Sequence, residues 1–130
     1  MPDPRIYPCL RYEDAPAAIA WLCRAFGFQE LLVVPGPDGT VAHAELRYGP
    51  CVVMLGSVKD DAYGASPRTS KAITQTISVG LDDPDTHCAR AAAAGADVFR
   101  PPEDTDYGSR EYSCRDLEGH VWSFGTYRPS

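Results

Sequence analysis

Residues 107–127 read YGSREYSCRDLEGHVWSFGTY, and this stretch decides how the rest of the chain is arranged. Two extended runs, 109–115 and 120–127, flank Asp116-Leu117-Glu118-Gly119, a tight turn whose glycine supplies the positive φ that a side-chain-bearing residue adopts only at a cost. The runs are rich in aromatic and β-branched residues, so the segment is a β-hairpin. In 120–124 the bulky His120, Trp122 and Phe124 alternate with Val121 and Ser123. One face of that strand is therefore packed, and the other is narrower and partly polar.

The same plan appears twice along the chain. Residues 5–12 form a strand candidate in which Pro8 signals an edge or a strand end. Asp14 caps a helix that tolerates Pro16 in its first turn, carries an apolar face through Ile19, Trp21, Leu22, Cys23 and Phe26, and stops at Gly27. Strands at 28–35, 40–48 and 51–56 follow, with a Gly-Pro-Asp-Gly turn between the first two. A polar, unpatterned connector comes next, and then the order restarts. A strand at 74–81 leads to Asp82-Asp83-Pro84, a helix over 86–94 closed by Gly95, a short strand at 97–100, a loop at 101–106 and the hairpin. Asp14, Pro16 and Gly27 each have a counterpart 68 positions later in Asp82, Pro84 and Gly95. The expectation is an α+β chain, one domain over 1–130, with module one at about 5–56, connector 57–73 and module two at about 74–127. Each βαβββ module has one helix on one face of its sheet and leaves the other face bare, so two of them can enclose a cleft.

Composition narrows the functional classes. A net charge of −6 argues against nucleic acid, which needs a basic face, and no apolar run approaches the roughly 20 residues that span a bilayer. Five cysteines, an odd number without a C-x-x-C pair, fit reduced thiols acting as small hydrophobes. With no secretory signal pattern at the N-terminus, a cytoplasmic location is expected.

LRYEDAPAAIAWLCRAFGF (10–28), HAELRYG (43–49) running into CVVML, and YGSREYSCRDLEGHVWSF (107–124) together resemble the vicinal oxygen chelate superfamily. That group includes glyoxalases, extradiol dioxygenases, fosfomycin-resistance enzymes and bleomycin-resistance proteins. The resemblance covers nearly the whole chain. It departs at Leu117, where the family's last turn usually has proline. It implies the glyoxalase/bleomycin-resistance fold, and a homodimer that completes its clefts by pairing or swapping halves.

Metal-using members of this superfamily place ligands on the first and last strand of each half. The matching positions here are Tyr7, Met54, Thr76 and Ser123, a thioether and neutral hydroxyls that are poor ligands for divalent ions. No metal, cofactor or catalytic residue is therefore expected, and the pattern comes nearest the metal-free binders. These four residues are expected to point into the cleft, with Tyr107 stacking on a flat ligand at its mouth and Tyr63 in the connector closing over it. Arg110 and Tyr112 share a face of the seventh strand, either to hydrogen-bond the ligand or to bridge acidic neighbours. His43 and Glu45 share a strand face beside the cleft, as ligand contacts or as an acid–base or metal pair. His87 is read as surface or helix packing and His120 as a hydrogen-bonded buried ring. Trp122 and Phe124 are read as core.

The function this implies is sequestration, without catalysis, of a planar aromatic natural product or antibiotic. The alternative is a lyase, isomerase or dioxygenase of the same superfamily, metal-dependent or metal-free.

Overall fold

The computed structural model describes residues 3–129. The first half contains β1 (Cys9–Tyr12), α1 (Ala15–Phe26), β2 (Gln29–Pro35), β3 (Val41–Tyr48) and β4 (Cys51–Ser57). A single helical turn, α2 (Pro67–Ser70), interrupts the connector. The second half contains β5 (Ile77–Gly80), α3 (Pro84–Ala93), β6 (Asp97–Asp104), β7 (Arg110–Arg115) and β8 (Val121–Gly125). The sheets have the same topology, β1-β4-β3-β2 and β5-β8-β7-β6, with one parallel pair in each, β1 with β4 and β5 with β8. This is the α+β fold of two βαβββ modules that the repeat predicts.

Several boundaries move for physical reasons. Asp14 caps α1 by accepting the Ala17 amide, and Asp83, not Asp82, caps α3 by accepting the Thr86 amide at 3.1 Å. The caps are thus 69 positions apart, and proline occupies the second helical position of α1 but the first of α3. β6 runs on through Pro101 and Pro102 where the sequence suggests a loop. It is an edge strand with a register slip between Arg100 and Glu103, so missing amide protons cost it little.

The helices lie side by side and pack their apolar faces on the sheets. Phe26 at the end of α1 touches the rings of Trp21, His87, Trp122 and Phe124, with Trp122 and Phe124 almost completely buried. The helix ends are tied across the modules. Trp21 donates its indole N–H to the Ala94 carbonyl at 2.7 Å, and the Arg90 guanidinium donates to the Arg24 and Cys23 carbonyls at the end of α1. His87 is no surface residue. Its Nε2 lies 2.9 Å from the Phe26 carbonyl and must carry the proton, which leaves Nδ1 to accept from the Tyr112 hydroxyl at 2.5 Å.

The hairpin turn joins the modules through two buried carboxylates. Asp116 accepts from the Tyr12 hydroxyl at 2.6 Å and the Trp122 indole at 3.0 Å, as well as from the amides of Glu118, Gly119 and His120. Glu118, its side chain without exposed surface, accepts from the amides of Glu13 and Asp14 at 2.6 and 2.8 Å and from the Ser66 hydroxyl at 2.5 Å. Arg68 adds a positive charge at 3.6 Å.

Two predictions follow from these bonds. Glu118→Ala strands the buried Ser66 hydroxyl and the part-buried amides of Glu13 and Asp14, and because a buried donor left unpaired costs about 1–3 kcal/mol, a loss of about that size is expected in urea unfolding. Burial holds the His87 pKa below its usual 6.5, so the folded chain binds fewer protons than the unfolded one as acid is added. Its stabilising contribution is complete above pH 6.5 and is lost as the pH falls from there toward the depressed folded value. The urea midpoint of wild type should drop as the pH falls below about 6.5, and His87→Gln should flatten that drop.

Candidate functional site

Strand register assigns every side chain to the helix side or the open side of its sheet. In the second sheet Ser78, Ser123 and Ser113 lie in one row across β5, β8 and β7, facing away from the helices, and the Ser113 and Ser123 hydroxyls are 2.8 Å apart. Tyr112, Trp122, Phe124 and Cys114 take the other face and are buried. The open face forms the floor of a cavity of about 690 Å³, lined among others by Ser78, Arg100, Tyr107, Glu111, Ser123 and Tyr127.

On the wall of that cavity, Glu111 gathers three donors. The Tyr107 hydroxyl reaches it at 2.7 Å, the Ser109 hydroxyl at 3.0 Å and the Arg100 guanidinium at 3.0 Å. The Tyr107 bond, with help from Arg100 and Ser109, holds the Glu111 carboxyl below its ordinary range, and the same bond pushes the Tyr107 phenol up. Gly125, opposite Glu111 in the register, makes this possible. A Cβ there would lie 2.5 Å from the Glu111 Cγ and 2.9 Å from the Arg110 carbonyl.

The expected site residues do not all converge. Tyr107 and Ser123 line this cavity. Thr76 lies just before β5 and is exposed, and the floor position beside Ser123 belongs to Ser78. Tyr7 likewise precedes β1, where Cys9 is the register partner of Met54, and it lines an adjoining recess of about 470 Å³ with Phe28, Tyr48 and Ile77, which shares Ser78, Val79 and Gly80 with the first cavity. Tyr63 stands over Arg11 at the edge of β1, 5.8 Å from its guanidinium, and lines a small pocket of about 120 Å³ with His120. Met54, His43 and Glu45 share the open face of the first sheet, outside the second sheet's cavity. His43 Nε2 and Glu45 Oε2 are 2.9 Å apart.

Two expectations are overturned. Tyr112 contacts no ligand space, because its place in the register turns it inward to His87, where burial raises its phenol pKa. Arg110 shares that helix-side face and is held by Asp85 at 2.8 Å and Asp104 at 3.1 Å, the bridging alternative. Glu111, Arg100 and Tyr127, by contrast, were not singled out from the sequence. The alternation that places Ser113 and Ser123 on the open face also puts Glu111 there and was the available signal for it.

The metal positions fail on chemistry. Cys9 or Tyr7, Met54, Ser78 or Thr76, and Ser123 give one thiol and otherwise neutral weak donors. Among the described residues no group of three or more His, Cys, Asp or Glu is arranged to hold an ion. The cysteines are all free, and burial pushes the Cys114 thiol up to about 12, which keeps it inert. Among the described residues no helix is long and apolar enough to cross a membrane.

Two repeated modules with helices on one side and an open face on the other, the second carrying a hydroxyl row beside a ring-lined hollow, define the class of fold. Residues 6–124 match the Glyoxalase/Bleomycin resistance protein/Dioxygenase superfamily, and the chain belongs to it. It is 36% identical over 126 residues to the uncharacterized protein Mb0911c of Mycobacterium bovis, covering 95% of this chain and 83% of that one. The uncharacterized protein Rv0887c of Mycobacterium tuberculosis is equally similar, with 74% of its length covered. Among solved structures, TioX from Micromonospora sp. ML1 superposes with a TM-score of 0.76 at 35% identity over 98% of both chains. The fosfomycin resistance protein FosX from Mesorhizobium loti shares the fold at 17% identity, with a TM-score of 0.66 over 98% of this chain and 95% of that one.

Gly125→Ala tests the wall directly. Its Cβ must displace Glu111, so the expected outcome is a loss of about 1–3 kcal/mol of stability together with shifted Tyr107 ring resonances in NMR spectra.

Proposed function

We propose that the chain sequesters, without altering it, a planar aromatic natural product or antibiotic. The observation that carries this reading is the 690 Å³ cavity with its two exposed tyrosines, a single internally paired charge couple and a hydroxyl floor. Such a lining offers stacking area and neutral hydrogen bonds, and its one carboxylate is already engaged by the Tyr107, Ser109 and Arg100 donors. Membership in a superfamily that includes bleomycin-resistance proteins is consistent with this reading.

A homodimer belongs to the proposal, with or without exchange of modules between subunits. β2 is an edge strand whose Leu31, Leu32, Val33 and Val34 are 51, 45, 36 and 40% exposed, a patch that a monomer in water seldom leaves uncovered. Met54, His43 and Glu45 lie on the same half of the chain, on the open face of its sheet.

The His43–Glu45 pair is the observation favouring the enzymatic alternative, a lyase, isomerase or dioxygenase. Titration calorimetry with metal-free bleomycin and with actinomycin D, two antibiotics carrying flat ring systems, separates the two. Sequestration predicts saturable binding in chelator, one ligand per cavity, and full recovery of the unchanged compound. A chemically modified product, or a stoichiometric metal that His43→Ala removes, would establish the alternative.

A further inference from the structure

The cavity's second wall comes from the segment after β8. The Thr126 amide donates to the Arg110 carbonyl at 3.1 Å and its hydroxyl accepts from the Arg110 amide at 3.0 Å, which turns the chain back along the cavity edge. Tyr127 then meets Tyr107 with ring centroids 5.8 Å apart and planes at 89°. Both rings line the cavity and stay more than half exposed, at 59% for Tyr107 and 54% for Tyr127. Two half-wet rings at right angles on one hollow do no core packing. They present one stacking face and one perpendicular ring, and both are geometries that aromatic pairs favour.

Tyr107 is also fixed in place. Its hydroxyl donates to Glu111, which Ser109 and Arg100 hold from other directions. Among the described residues, Arg100 and Glu111 are the charged residues of the lining, and they bind each other, with Glu103 as a second partner of Arg100 at 2.8 Å. Nearby Arg128, over Gly80, faces Asp82 at 3.4 Å. A charged guest would have to compete with these pairs, whereas a neutral one leaves them intact.

We propose that Tyr107 and Tyr127 form an L-shaped receptor for an uncharged flat aromatic ring, with Glu111 as the positioning residue that fixes Tyr107. The ring lies on one phenol and sets its edge against the other, above the Ser78–Ser123 floor. This deepens the sequestration reading and rests on it.

The probe is 2-naphthamide, titrated by NMR beside 2-naphthoate and 2-naphthylmethylammonium, which carry the same ring with a negative or a positive charge. The neutral compound should bind most tightly and shift the Gly125 and Thr126 amides. Tyr127→Ala should weaken it about five-fold and Tyr127→Phe by less than about two-fold, the range an aromatic contact supports. Tyr107→Phe and Glu111→Ala should each weaken binding, and the double variant should be no worse than the poorer single, because Glu111 acts through the Tyr107 hydroxyl. Thermal melts confirm that the variants are folded. Unchanged affinity in Tyr127→Ala, equal affinity for a charged analogue, or additive losses in the double variant would overturn the receptor. If in those cases the antibiotics still bind, the sequestration reading survives. If wild type binds neither the antibiotics nor any naphthyl compound, both are overturned.

Discussion

The bonds from Asp116 and Glu118 hold the two modules in one arrangement. The carboxylates sit in the turn of the last hairpin, yet their partners are Tyr12, the amides that open α1, and Ser66 in the connector, 52 to 105 positions away in sequence. A buried carboxylate is costly unless its lone pairs are filled, and here eight donors fill the two groups. Those donors come from the start of the chain, its middle and its end, so both carboxylates are filled only when all three are in place. The aromatic cluster around Phe26 supplies apolar burial beneath this turn, while the turn determines which partner each surface meets.

Beside this stands the division of labour between the faces of the second sheet. Where side chains point to the helices they are large, buried and bonded in pairs, as His87 is to Tyr112 and Trp122 is to Asp116. Where they point away they are small or polar, as Ser78, Ser113 and Ser123 are, or are long groups lying flat, as Glu111 does over Gly125. The same scaffold thus keeps its cohesion on one side and an open, hydroxyl-lined face on the other.

Much of this was legible in the sequence because the signals were local. Proline and aspartate at the helix starts, glycine after α1, the alternation through Trp122 and Phe124 and the repeated element order gave the fold and the core. What escaped depends on long-range partners. DLEG reads as a turn, and nothing in four residues says that its acids bind Tyr12 or Ser66. Thr76 and Tyr7 were placed one strand step too early, since the extended runs around them continue past the residues that actually pair. Arg110 and Tyr112 do share a face, as alternation requires, but only the tertiary packing says that it is the helix face. Glu111, on the opposite face, was the better candidate. Tyr127 reads as the end of the last extended run, but the strand stops at Gly125 and the bonds of Thr126 turn the chain before Tyr127.

The hydroxyl row, the two phenols and the tail carry almost none of the contacts that hold the molecule together. An exchange of Ser78 or Tyr127 for another residue would leave the Asp116 and Glu118 anchors untouched. The lining of the hollow is therefore free to change through a few substitutions, without passing through an unfolded ancestor at any step.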